Sequence, residues 1–149
     1  MVVLDASVIL KWFYPAEDEP HTDVALEFRD RLRDGRLTIV VPSYALYECA
    51  SSMRESQYDL SPAAVRGHVR DLWRVGFTVS SVTRRLLLAA LDMSFMYKVR
   101  VYDAYYFAAA QFRGCPCVTA DHKAFRQVRR HLAWVHFLGH VSDVAAYDD

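Results

Sequence analysis

Five short apolar runs rich in β-branched residues recur along the chain, separated by segments of helical period, and this alternation restricts the fold more than any other feature. The runs are "VVLDAS", "LTIVVP" up to Pro42, "FTVSSV", "CVTAD" and "WVHFL". Strands that alternate with helices of ten or more residues predict an α/β domain with a parallel sheet and helices on both of its faces. "FTVSSV" reads as a strand or an extended link. "SVILKWF" can turn into a helix behind the first strand. "HTDVALEFRDRLRDG" sets Val24, Leu26, Phe28 and Leu32 among charges and stops at Gly35, a C-cap signal. "SYALYECASSMRES" reads as a helix capped by Ser43. "LSPAAVRGHVRDLWRVG" is more explicit, with Ser61 as cap, Pro62 at the first helical position and Gly76 at the end. "TRRLLLAALDMSFMYKV" predicts a long helix, "YDAYYFAAAQF" a packed one closed by Gly114, and "HKAFRQVRRH" a short one.

The chain has 149 residues, enough for one domain with a substantial core and too few for two, so residues 1–149 are read as a single unit. At 53% hydrophobic and 24% charged it is globular rather than disordered. No apolar run approaches the roughly 20 residues of a membrane span, and the first residues lack the basic start and cleavage site of a signal peptide. No membrane is expected among its partners, and the expected compartment is the cytoplasm. Three cysteines, two of them in "CPC", are read as buried thiols rather than a disulfide framework.

In such a sheet each helix runs back against its strand, so strand C-termini and helix N-termini share one edge, where ligands bind. Asp5 ends the first strand, Glu48 lies early in the helix after the second, Asp103 opens its helix, and Asp121 ends "CVTAD". Helix capping alone accounts for Asp103, since Asp is favoured both at the N-cap and in the first turn. Capping does not account for four segments aiming carboxylates at a shared crevice, where mutual repulsion raises pKa values and costs stability. A cation resolves the conflict. Hard oxygen donors suit Mg²⁺ or Mn²⁺, and such an ion polarises a phosphodiester and activates water. The chemistry indicated is phosphodiester hydrolysis. Formal charge is zero, yet residues 1–60 hold 11 acidic and 6 basic side chains while the remainder hold 7 and 12, and 15 of the 18 basic residues are Arg. That bias agrees with a nucleic-acid partner, with Arg84, Arg85, Lys98, Arg100, Arg129 and Arg130 as candidate contacts.

These residues also resemble a known family. "VVLDASVIL", "PSYALYE", "YDAYYFAAA" and "VTADHKAF" are similar, in order and over nearly the whole chain, to the four acidic motifs of PIN domains in the VapC-type toxin group. The resemblance implies a three-layer α/β/α sandwich around a mostly parallel sheet. It implies Asp5, Glu48, Asp103 and Asp121 as catalytic, metal-binding acids, with Ser7 and Thr119 as hydroxyls near them. It further implies Mg²⁺- or Mn²⁺-dependent cleavage of RNA, homodimerisation, and neutralisation by a small cognate antitoxin that occludes the site. His122 departs from the pattern, standing where a basic or small residue is more usual, and is read as a solvent-facing loop residue. The run Glu17 to Glu19 reads as a solvated turn, Asp143 as a surface or capping residue, and Asp92 as facing either the crevice or solvent.

Competing classes fit less well. A phosphatase-like fold needs a second Asp two positions after Asp5, where Ser7 stands, and a dinucleotide-binding domain needs a glycine-rich turn that "DASVILKW" lacks. The remaining rival is a catalytically weak PIN-fold module that binds RNA or protein, against which acids beside phosphate argue.

Overall fold

The strands are short and covered. In the computed structural model, which describes residues 1–149, Val2–Leu4 (β1), Ile39–Pro42 (β2) and Cys117–Thr119 (β4) are buried at every position, as parallel strands packed on both faces must be. Thr78–Ser80 (β3) and Val135–Phe137 (β5) form the edges. The order is β3-β2-β1-β4-β5, and all four pairings are parallel. The chain therefore winds from β1 through β2 to β3 in one direction, then returns to the other side of β1 for β4 and β5. The switch lies between β1 and β4, where parallel sheets open a crevice at their carboxyl ends.

The helices Ala6–Leu10 (α1), Thr22–Arg33 (α2), Ala45–Arg54 (α3), Pro62–Arg74 (α4), Arg84–Tyr97 (α5), Val101–Arg113 (α6) and His122–Val128 (α7) complete a three-layer α/β/α fold. Two 3₁₀ turns, Leu138–His140 and Val144–Tyr147, close the chain. Helix α6 carries the centre of the core, because Asp103 to Ala110 are all buried and its alanines allow close packing against the sheet and α5. Gly114, at φ +63°, adopts the left-handed conformation that ends it. Trp12 pins α1 to α2 by donating its indole N–H to the Ala25 carbonyl at 2.7 Å.

Local sequence signals are recovered in part. Ser61 caps α4 by accepting from the Ala64 N–H, with Pro62 at the first position. Ser43 does not cap α3. Its N–H donates to the Ser80 carbonyl at 2.9 Å, prolonging the β2–β3 pairing, and the helix starts one residue later, behind Tyr44, without a side-chain cap. Glu19 is not merely solvated, for it accepts from the buried Lys11 at 2.7 Å and from Tyr58 at 2.8 Å. The three cysteines are buried and free, and Asp143 caps the last 3₁₀ turn. No helix is long and apolar enough to cross a membrane.

Candidate active site at the β1–β4 switch

Asp5 leaves β1 in extended conformation and caps α1, one oxygen accepting from the Ser7 N–H at 3.1 Å. Its other oxygen accepts from the Thr119 hydroxyl at 2.6 Å, so the carboxylate ties the end of β1 to the end of β4. The Ser7 hydroxyl accepts from the Ala120 N–H at 3.0 Å, and Thr119 Oγ1 accepts from the Asp121 N–H at 3.0 Å. The two hydroxyls thus lock the switch point. Asp121 caps α7 through the Ala124 N–H at 2.9 Å. Glu48 stands in the first turn of α3, and one oxygen accepts from the Tyr106 hydroxyl of α6 at 2.6 Å.

Asp103 lies in the first turn of its helix, one of the two placements the sequence allows. It is the third residue of α6 rather than the cap, which is Arg100, and it makes no capping bond. Both its oxygens instead accept from the Arg100 guanidinium, at 3.0 and 2.9 Å. With Asp5, Ser7, Glu48 and Asp121 it lines one cavity of about 630 Å³, whose rim includes Tyr44, Tyr47 and Tyr102.

Burial and repulsion shape the charges. Burial pushes Asp5 up to about 6, with Asp103 and Asp121 adding to the rise and the Thr119 and Ser7 hydrogen bonds opposing it. Glu48 goes up to about 7, again chiefly by burial, eased by Tyr106 and Arg100 and reinforced by Asp5 and Asp103. The donor set is all oxygen, as a hard divalent cation prefers. In this arrangement, however, no three of the acids converge closely enough to hold an ion.

The sequence model of the PIN domain matches residues 2–131. The chain belongs to the PIN domain family. PIN domains are generally nucleases that use divalent metal ions. Solved structures share the PIN fold at low identity. A toxin–antitoxin complex from Klebsiella pneumoniae aligns with a TM-score of 0.66 at 14% identity, over 93% of this chain and 98% of the other. FitAcB from Neisseria gonorrhoeae gives 0.66 at 14%, over 95% and 100%. VapC20 of Mycobacterium tuberculosis, described as a sarcin-ricin loop cleaving toxin, gives 0.56 at 19%, over 76% and 84%. Among curated proteins none matches the chain by sequence.

Of the other sequence candidates, only Arg100 lines the acid cavity of this PIN domain. His122 is the exposed first residue of α7 rather than a loop residue, its ring edge-on to Phe137 with centroids 5.3 Å apart. Asp92 is exposed on α5 and does not line the cavity. Lys98 and Arg100 border an adjoining cleft of about 240 Å³ with Lys123, Asp103 and Asp121. Arg84, Arg85, Arg129 and Arg130 line neither space, and Arg85 lies over the Phe112 ring at 4.8 Å. Sequence reasoning missed Tyr106 as the partner of Glu48. Its spacing of three from Asp103 in α6, which sets both on one helix face, was the available signal.

Proposed function

We propose that this PIN domain is a metal-dependent endoribonuclease that hydrolyses RNA phosphodiester bonds and serves as the toxin of a toxin–antitoxin pair. The observation that carries the reading is the gathering of four carboxylates from four separate elements around one cavity at the β1–β4 switch. Asp5, Glu48, Asp103 and Asp121 would hold Mg²⁺, or Mn²⁺ as a substitute, and would be the catalytic acids. When bound, such an ion supplies Lewis acidity to the phosphodiester and lowers the pKa of water. Ser7 and Thr119 support the site by fixing Asp5 and the start of α7. Glu48, pushed up to about 7 while no ion is bound, would be held ionised by the metal it helps to bind. Tyr47 and Tyr102, 78% and 59% exposed at the cavity rim, offer ring faces on which unpaired bases can stack.

The proposed partners are RNA, a cognate antitoxin and a second copy of the chain, and the proposed compartment is the cytoplasm. Structural similarity to a protein solved as a toxin–antitoxin complex supports the antitoxin. An exposed apolar stripe on α5, formed by Leu88, Leu91 and Phe95 at helical spacing beside Met96, supports a homodimer packed on that face. The second reading, a PIN-fold module that binds RNA or protein with little catalysis, is favoured by one observation, that Asp103 and Asp121 are bridged by Arg100.

Incubating the purified chain with single-stranded RNA separates the two. Cleavage with Mg²⁺ or Mn²⁺, abolished by chelator and reduced about a hundredfold in Asp103→Asn, is expected of the nuclease. Intact RNA with every divalent ion tried would leave only the binding module. Expression without a partner is expected to arrest bacterial growth, and Asp5→Asn at equal protein level to relieve it.

A further inference from the structure

Arg100 stands where an all-carboxylate site needs its cation. Its Nε donates to one oxygen of Asp103 at 3.0 Å, its Nη2 donates to the other at 2.9 Å, and Nη2 also reaches Asp121 at 3.5 Å. Exposure is unequal across the cluster, with the Asp103 carboxylate 8% exposed and the Asp121 carboxylate 28%, whereas the Arg100 side chain is 72% exposed. A buried carboxylate that accepts from a guanidinium through both oxygens has its charge already matched and one lone pair of each oxygen in use, and two acids bridged by one guanidinium are held at the spacing that group dictates. This accounts for four acids around one cavity of which no three converge on an ion. The guanidinium lies mostly in water and can leave by turning its own side chain. Nor does the helix dipole hold it there, since a cation is disfavoured at the N-terminus of α6.

We propose that Arg100 is the resting counter-ion of the acid site, displaced from Asp103 and Asp121 by a divalent cation and turned outward to bind a phosphate of the RNA. The competition with metal follows from geometry, whereas the RNA half rests on the nuclease reading. A guanidinium and a divalent ion repel each other strongly when both press on one carboxylate, and the coupling is reciprocal. Once released, the planar fork sits beside Lys98 and Lys123 at the adjoining cleft, and it matches a phosphate group bidentately as a lysine does not. An ordinary surface pair at i,i+3 would steady the first turn of α6 and do nothing to metal affinity.

Two measurements on the whole chain decide the matter. In calorimetric titration with Mn²⁺, Arg100→Ala is expected to bind the ion about fivefold more tightly or better, and Arg100→Lys, which keeps the charge but loses the fork, to fall between it and the wild type. In RNA cleavage at saturating Mn²⁺, Arg100→Ala is expected to raise KM about tenfold with a smaller change in kcat, and to make the salt dependence of kcat/KM shallower by about 0.7 in slope. Unchanged or weaker Mn²⁺ binding in a folded Arg100→Ala protein would overturn the competition. Tighter Mn²⁺ binding with an unaltered KM and salt slope would overturn the phosphate contact. A wild type that cleaves no RNA would overturn the nuclease reading and the RNA half together, while the Mn²⁺ titration still decides the first half.

Discussion

Replacing Asp5 by Asn is expected to stabilise the metal-free protein at alkaline pH and not at acid pH. Asp5 is 6% exposed and is pushed from 3.8 up to about 6, chiefly by burial. Between those values the folded chain holds the proton and the unfolded chain releases it. Unfolding free energy therefore falls as pH rises, because the folded state binds more protons. The gap corresponds to ~3 kcal/mol, present in full below pH ~4 and lost once pH passes ~6. Asn cannot ionise, so it escapes this loss. Its amide oxygen can still accept from the Ser7 N–H, but its NH₂ now faces the Thr119 hydroxyl, which must turn from donor to acceptor at a cost of about 1 kcal/mol. The net expectation is a variant more stable than the wild type by ~2 kcal/mol at pH 8 and less stable by up to ~1 kcal/mol near pH 4. In a domain of this length the alkaline gain is a rise in Tm of roughly 4–8 °C. Urea unfolding followed by circular dichroism in chelator, at both pH values and with unchanged m, measures the difference. A stability difference that is the same at pH 4 and pH 8, or an Asn variant weaker than the wild type at pH 8, would refute the buried-charge argument.

Tyr106→Phe removes the hydroxyl that lowers the pKa of Glu48, so in the metal-free protein Glu48 should stay protonated to higher pH and Mn²⁺ binding at neutral pH should weaken and recover as pH rises; an Mn²⁺ titration at two pH values with unchanged affinity would remove Glu48 from the ligand set. Adding Mg²⁺ or Mn²⁺ at about a hundred times its dissociation constant should stabilise the wild type by roughly 2.7 kcal/mol and Asp121→Asn by clearly less, and thermal unfolding with an equal shift in both would remove Asp121 from the ligand set. Phe95→Glu combined with Leu88→Glu should yield a monomer by light scattering without loss of helix signal, since both side chains are exposed at 79% and 51%; an unchanged mass would move the dimer contact off α5.

What the sequence determined by itself was local or periodic. Five apolar runs became five strands, Ser61 and Pro62 opened α4, Gly114 closed α6, and each acid occurs near the end of a strand or the start of a helix, where α/β alternation directs ligands. Such signals act over a few residues and survive whatever the rest of the chain does. Tertiary structure decided the strand order that puts β1 beside β4 and so joins Asp5 to Thr119 across 114 positions, because pairing partners depend on how helices cover the sheet. It decided that Ser43 continues the sheet through its N–H to the Ser80 carbonyl, so that α3 starts one residue later, behind Tyr44. The same packing brought Tyr106 to Glu48 across 58 residues and seated Arg100 on Asp103 and Asp121. Capping preference and spacing draw an acid to the sheet edge. Which hydroxyl or guanidinium meets it there depends on side chains that burial forces together from distant parts of the chain.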